Sequence, residues 1–437
     1  MQIQRIRAAE SADAQRRAAG TLARRGLRSG DRVAVIASTA PATYLAVALG
    51  ALRTGVVPVL LNPALLPVEQ QALLDDAQPM LVLRDDDLAG MLDGPPIDLA
   101  DAPLARPMLY TSGTTGRPKG VWSGVLDEEE ARALLAEERA LWRFDVRDVH
   151  LVASALYHSA PLRFASGTLL AGGDVVFLGG FEVERMKQAI ATHAPTTTFV
   201  APAHLQRLFA SADVPDLSSF RLVAHAGAPC PDPIKHEALR RFPQGSVWEF
   251  YGSTEGQFTA CPPEDWLARP GTVGRARSGR TLSIDDDGMI WCSTPRHARF
   301  TYWRDADKTA QAWRGDAFSV FDLGSLDADG FLYLDGRRDD LIISGGVNVY
   351  PLEVERVLLA HPAVRDAAVF PLADERWGQM VCAAVVGGAD QATLDAWLAD
   401  RLAPYKRPKR IVTVAAIPHT PTGKVKRGRL AEDLGLV

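Results

Sequence analysis

The sequence predicts an α/β protein with a large N-terminal domain, residues 1–336, and a small α+β C-terminal domain, residues 337–437. The large domain is expected to hold parallel-rich sheets with covering helices plus a barrel-like β subdomain. Three observations carry this. Up to about residue 250, short β-branched runs alternate with longer helical patterns, as in parallel sheets covered on both faces. From Gly271 to Leu334 short runs are punctuated by Asp287-Gly288 and Asp329-Gly330, the turn chemistry of antiparallel hairpins. Past Gly336-Arg337-Arg338-Asp339-Asp340 the pattern becomes helix, strand, strand, helix.

In chain order, Arg32–Ala37 is an apolar run bounded by Gly30-Asp31 and reads as a strand, followed by helical Pro41–Arg53. Val56–Leu61 and Met80–Leu83 read as strands flanking the helix Pro67–Ala77. Asp127–Trp142 is a charged, Ala/Leu-rich helix. Strands are expected at His150–Ala153, Val175–Leu178, Thr197–Ala201, Arg221–His225 and Ser246–Tyr251. Helices near Leu162–Ala171, Val183–His193, Ala203–Ala210 and Asp232–Phe242 lie between them. In the small domain, Pro351–Ala360 and Gln391–Leu402 are helical and Ala367–Pro371 and Met380–Val386 are strands.

Composition narrows the function. Hydrophobic residues at 47% and charged residues at 23% exclude a disordered chain. A net charge of −5 gives no reason to invoke nucleic acid. Cys230, Cys261, Cys292 and Cys382 are too far apart for a metal or redox motif, so reduced thiols in the cytoplasm are expected. The arginine-bearing N-terminus is unlike a secretory signal, and no apolar run approaches the roughly 20 residues of a membrane span.

Four motifs carry chemistry. Met108–Val121 reads MLYTSGTTGRPKGV, in which glycines turn backbone N–H groups inward, hydroxyls add donors and Lys119 adds a point charge. Together these suit phosphate oxygens, although a surface loop has the same composition. Walker spacing is excluded, because Gly120 follows Lys119. FYGSTEG, Phe250–Gly256, ends a buried strand and exposes Tyr251, Thr254 and Glu255 where open sheets place ligands. It suits a stacked base, a phosphate and a Mg²⁺ carboxylate, or more simply a helix cap. The third is the run Phe321–Glu355 and the fourth is HTPTGKVKRGRL, where Lys424 follows Gly423.

In order and spacing these motifs resemble one family along nearly the whole chain: the adenylate-forming enzymes, comprising acyl- and aryl-CoA ligases, nonribosomal-peptide adenylation domains and firefly luciferase. GRRDDLIISGGVNVYPLEVERVL, LADERWGQ and YKRPKR resemble its CoA ligase branch. The resemblance implies ATP, Mg²⁺ and coenzyme A as cofactors. It implies that Thr111, Ser112, Gly113, Thr114, Thr115, Gly116 and Lys119 clamp the β- and γ-phosphates. Gly227, Ala228, Tyr251 and Gly252 would flank adenine, Thr254 would meet the α-phosphate, and Glu255 would hold the metal. Asp322 and Arg337 would take the ribose, and Lys424 would bridge substrate carboxylate and α-phosphate. The small domain would be mobile and turn about Asp339, bringing Gly345 and Gly346 to a pantetheine tunnel with Trp377, Tyr405, Arg407 and Lys409 along the CoA arm.

For the acid, His158 in ALYHSAPL falls where the family orients the acyl carbonyl, and no Asp stands there to pair with an amino group. Phe164, Phe258 and Trp248 near these motifs predict a roomy apolar pocket for a fatty, aryl, steroid or terpenoid-like acid. Alternatives are a ligase with an impaired adenylation half that thioesterifies a preformed acyl-adenylate, a carrier-protein ligase, and a non-catalytic nucleotide sensor. The assembly state is open, with a homodimer among the options. Two departures stand out. Val320-Phe321 precedes Asp322 where relatives have Thr-Gly, and the chain is short for the family. The modest net charge also conceals a division, since residues 401–437 hold nine basic side chains against Glu432 and Asp433.

Overall fold

A computed structural model describes residues 3–111, 118–419, 425 and 427–436. The central sheet has six strands in the order Gln4–Ile6, Asp174–Phe177, Val149–Val152, Thr197–Val200, Leu222–His225, Val247–Glu249. All neighbours in it are parallel except the first pair. A second parallel sheet is built from Val57–Leu60, Arg32–Ile36 and Leu81–Arg84. Its apolar runs are buried on both faces, as parallel strands under helices must be. Pro41–Leu52, almost wholly apolar, lies between the two sheets in one core with Val35, Val175 and Phe177. The N-terminal helix Ala8–Arg24, which the sequence reading did not assign, packs on it through Ala18 and Leu22.

The antiparallel region follows the predicted turns. Thr281–Ile284 pairs with Ile290–Ser293 across Asp287-Gly288, and Asp322–Leu326 pairs with Leu332–Arg337 across Asp329-Gly330. Phe258, Phe300, Phe318 and Leu332 fill the core between these ribbons. Both glycines have positive φ, +80° in each case, which L side chains rarely adopt.

In the C-terminal part, strands Val364–Asp374 and Gly378–Gly387 form a long hairpin extended by Ile342–Ser344 and Val347–Val349. Arg410–Thr413 pairs in parallel with the same strand, Gly378–Gly387, farther along it at Cys382–Val385. The helix Pro351–Leu359 covers it through Val354 and Leu358. Among the described residues, no helix is long and apolar enough to cross a membrane. All four cysteines are free thiols, three of them buried.

Candidate active site

Two adjacent strands deliver the segments expected to face the nucleotide. Leu222–His225 and Val247–Glu249 run parallel with His225 opposite Glu249. Their C-terminal ends therefore release Ala226-Gly227-Ala228 and Phe250–Gly256 side by side, in the crevice where open α/β sheets take ligands. Gly227 turns at φ +94°, and a Cβ at Gly252 would stand 2.7 Å from the Gly256 carbonyl oxygen. Both positions need glycine.

Tyr251 is buried, and its hydroxyl donates to Asp322 Oδ2 at 2.6 Å. Burial, reinforced by the Asp322 charge, holds the phenol proton well above its ordinary range, so the hydroxyl stays a donor. Arg337 Nε lies 3.2 Å from Asp322 Oδ1. The Asp329-Gly330 hairpin causes this, because its register sets Asp322 opposite Arg337. Phe321, just before, takes φ +65°, the left-handed region that favours glycine, the residue the family resemblance leads one to expect here. A phenylalanine held there costs on the order of 1–2 kcal/mol, and its ring packs in a cluster with Trp291, Leu323 and Tyr350 that offsets the strain.

A second constellation adjoins the first. Tyr302 Oη donates to Glu255 Oε1 at 2.9 Å, both side chains being buried. Tyr302 is placed by the strand Thr301–Tyr302, which pairs with Lys119–Trp122. Lys119 Nζ stands 5.0 Å over the Tyr302 ring. Burial and neighbouring Lys308 lower the proton affinity of Lys119. Thr111 pairs with Lys119 across the sheet, at the two ends of the segment expected to meet phosphate. Ser112, Gly113, Thr114, Thr115 and Gly116 lie outside the described residues. Arg106 reaches the Thr254 and Glu255 carbonyl oxygens at 3.4 and 3.3 Å. Sequence reasoning missed Tyr302 and Arg106, which stand far from Glu255 along the chain and in no local pattern.

Glu255 offers a buried carboxylate here, and among the described residues no group of three or more His, Cys, Asp or Glu side chains that could hold a metal ion occurs. Such a set suits Mg²⁺, which is usually held by one or two carboxylates with substrate phosphates supplying the remaining ligands.

The acyl side departs from expectation. Phe164 and Phe258 do not line a roomy pocket, because both are wholly buried. Phe164 packs between Trp142 and Phe250, with ring centres 4.8 and 6.3 Å away. Phe258 belongs to a different core, against Tyr251 and Phe318. Large rings next to motif residues filled space rather than leaving it. Trp248 donates its indole N–H to the Gly245 carbonyl oxygen. His158 precedes the helix Ser159–Leu170, its ring 4.5 Å from that of Tyr157.

In the C-terminal part, Asp339 sits in a short 3₁₀ turn, Arg338–Asp340, directly after the strand that carries Arg337. Gly345 and Gly346, at φ +59° and +79°, form the two-residue loop of a tight hairpin. The Trp377 carbonyl accepts from Gly345 N–H at 2.8 Å, and a Cβ on Gly345 would meet the Trp377 ring at 2.8 Å. Lys409 Nζ lies 5.7 Å over that ring, and Tyr405 is exposed. Arg407 is engaged locally. It donates to the Ala399 and Leu402 carbonyl oxygens, the open C-terminal end of helix Gln391–Ala399. Lys424 lies outside the described residues, but its flanks are tied down. His419 Nε2 is 2.7 Å from Asp366 and pairs with Val425, while Arg427 grips Glu355 and Asp340.

Comparisons with known proteins identify the family and the fold. The AMP-binding enzyme family matches residues 2–97 and 106–292, and the AMP-binding enzyme C-terminal domain matches residues 353–424. The 2-succinylbenzoate–CoA ligase of Geobacillus kaustophilus is 33% identical over 94% of this chain and 89% of its own. The o-succinylbenzoate CoA synthetase of Bacillus subtilis, solved with its acyl-adenylate intermediate, superposes with a TM-score of 0.83 at 28% identity over 97% of this chain and 92% of that one. ATP-bound MatB from Rhodopseudomonas palustris gives 0.85 at 30% identity, covering 97% and 93%.

Proposed function

The chain belongs to the AMP-binding enzyme family and is an AMP-forming acyl-CoA ligase; from that premise we propose that it activates a hydrophobic carboxylic acid as its acyl-adenylate and passes the acyl group to the thiol of coenzyme A. In the first step an oxygen of the acid attacks the α-phosphorus of ATP, the bond to the β-phosphate breaks, and pyrophosphate leaves. In the second the CoA sulfur attacks the acyl carbon, the thiol proton is lost, and AMP leaves.

The observation that carries the reading is the convergence of Tyr251, Asp322 and Arg337 beside Glu255, Tyr302 and Lys119. The first three give a buried aromatic flank for adenine, and a carboxylate held ready for ribose hydroxyls. Thr254 would meet the α-phosphate, and Thr111 with Lys119 the outer phosphates. Two anions must approach each other in this reaction, so fixed positive charge and oriented donors offset the repulsion. When bound, Mg²⁺ neutralises phosphate charge and favours departure of pyrophosphate. Lys424 would bridge the acid and the α-phosphate, and His158 would orient the acyl carbonyl.

For the second step the C-terminal domain would turn about Asp339, presenting a different face to the same site. The Gly345-Gly346 loop beside Trp377 supports this at Gly346, where a side chain would meet nothing within 4 Å and its absence leaves a bare approach for a slender pantetheine arm. Tyr405, Arg407 and Lys409 would meet the remainder of CoA. Acid-dependent ATP–pyrophosphate exchange, followed by thioester formation on adding CoA, tests the proposal. Lys424→Ala should abolish exchange yet still convert a supplied acyl-adenylate and CoA to thioester. Equal loss of both half-reactions would contradict the division of labour.

A further inference from the structure

The segment that carries Glu255 is held from two directions. Its carboxylate accepts from the Tyr302 hydroxyl. Its backbone meets Arg106, whose Nη2 stands 3.3 Å from the Glu255 carbonyl oxygen and 3.4 Å from that of Thr254. The other arm of the same guanidinium, Nη1, donates to the Ala298 carbonyl at 3.3 Å. Ala298 ends the 3₁₀ turn Arg296–Ala298 and leads into Thr301–Tyr302, the strand that places Tyr302. One side chain thus reaches both partners of the Tyr302–Glu255 pair through their backbones.

Arg106 is itself firmly placed. Ala105 bridges to Val125 and Met108 to Val59, with the fixed φ of Pro107 between them, so the backbone on both sides of Arg106 is tied to neighbouring segments. The strand Leu109–Thr111, which enters the segment expected to meet phosphate, follows directly. Burial and the nearby Arg163 lower the Arg106 pKa to about 10, with Glu138 and Glu255 opposing, so the group keeps its proton at neutral pH. Buried charge is usually paired with an opposite one. Here the hydrogen bonds of the guanidinium go to three neutral carbonyls, all in segments that flank the carboxylate. A charged donor makes such bonds stronger, and the rigid fork of an arginine lets one side chain reach two segments at once.

We propose that Arg106 is a positioning residue for the metal carboxylate: by clamping the Thr254–Glu255 backbone to the segment that carries Tyr302, it sets Glu255 in place for Mg²⁺ and ATP before they bind. The inference rests on the ligase reading, in which Glu255 holds Mg²⁺. That ion demands near-ideal octahedral geometry, so a carboxylate left to drift by a fraction of an ångström loses much of its worth. Thr254 shares the clamped backbone, so the residue expected at the α-phosphate is fixed by the same contacts.

The test requires no knowledge of the acid. ATP binding to the full-length enzyme is measured by calorimetry in excess Mg²⁺ and again in EDTA, and the ratio of the two dissociation constants gives the benefit of the metal. Arg106→Gln should lower that benefit about 10-fold, the low end for a hydrogen bond to a charged group, because all three contacts are long. Arg106→Lys should restore part of it, since it keeps the charge but reaches fewer carbonyls. A loss of folded protein alone would lower the binding stoichiometry in both conditions and leave the ratio unchanged. Tyr302→Phe removes the other hold on the same carboxylate, so the two losses should fall short of additive by about 3-fold or more. A wild-type ratio in Arg106→Gln, or fully additive losses, would overturn the inference while leaving the ligase reading intact. A wild type that binds no ATP, or binds it equally well without Mg²⁺, would overturn the assignment of Mg²⁺ and ATP to this site, and the inference with it.

Discussion

Tyr302→Phe removes one oxygen from the site and little else. The phenol and Glu255 are about 5% and 6% exposed, and the hydroxyl donates to Glu255 Oε1 at 2.9 Å. Phenylalanine keeps the ring against Phe300, 5.4 Å away, and under Lys119 Nζ, so no cavity opens. What is lost is a buried hydrogen bond to a carboxylate, worth about 1.5–3 kcal/mol. At about 1.4 kcal/mol per decade that corresponds to roughly 10- to 150-fold in kcat/KM. If Glu255 holds Mg²⁺, the loss should appear as a higher Mg²⁺ concentration for half-maximal acid-dependent exchange at fixed ATP. Burial and Glu255 both keep the Tyr302 proton in place, so the effect should be flat across working pH. An unchanged Mg²⁺ dependence alongside wild-type exchange would refute the assignment of Glu255.

Three further outcomes are expected. Lys235, fully buried between His225 Nε2 at 2.6 Å and Glu249 Oε2 at 3.1 Å, ties together the two strands that feed the nucleotide loops. Lys235→Met strands the Glu249 charge and should cost about 3–5 kcal/mol, seen as a lower denaturant midpoint; a wild-type midpoint would contradict it. Burial pushes His150 down to about 3 and His204 down to about 4, and it lowers His225 well below its ordinary 6.5. These rings stay neutral when folded but gain a proton once unfolded. The unfolded chain therefore binds more protons below about pH 6.5, and stability falls from there towards pH 4 by up to ~1.4 kcal/mol per pH unit for each fully buried ring. Chemical denaturation at pH 7.5, 6 and 5 should show the loss, and a flat profile would exclude it. Gly345→Val places a branched side chain against Trp377 at a φ of +59°, so thioester formation from acyl-adenylate should fall far more than exchange does; a parallel fall would remove the loop from the second step.

The fold was legible wherever a local period determined the element. Val183–His193 and Pro67–Ala77 lie as the pattern predicts, and both Asp-Gly turns close hairpins. Asp322 and Arg337 could be joined to Tyr251 only through the family motifs, because they lie 71 and 86 positions further along the chain. What stayed hidden was decided by tertiary packing. Tyr302 reaches Glu255 because its strand happens to pair beside Lys119. Phe164 and Phe258 were read as pocket walls from proximity along the chain, yet their rings turn into two separate cores. Phe321 looked like a defect in the motif, and the structure instead keeps its glycine-like backbone while using the ring for packing.

The claim that the acid is activated by attack on the α-phosphorus of ATP is tested most directly by following its oxygen. The account predicts that an acid labelled with ¹⁸O in its reacting carboxylate delivers one labelled oxygen to AMP during CoA-thioester synthesis, detected by mass spectrometry of the AMP formed. Label recovered in pyrophosphate or inorganic phosphate, with unlabelled AMP, would contradict it.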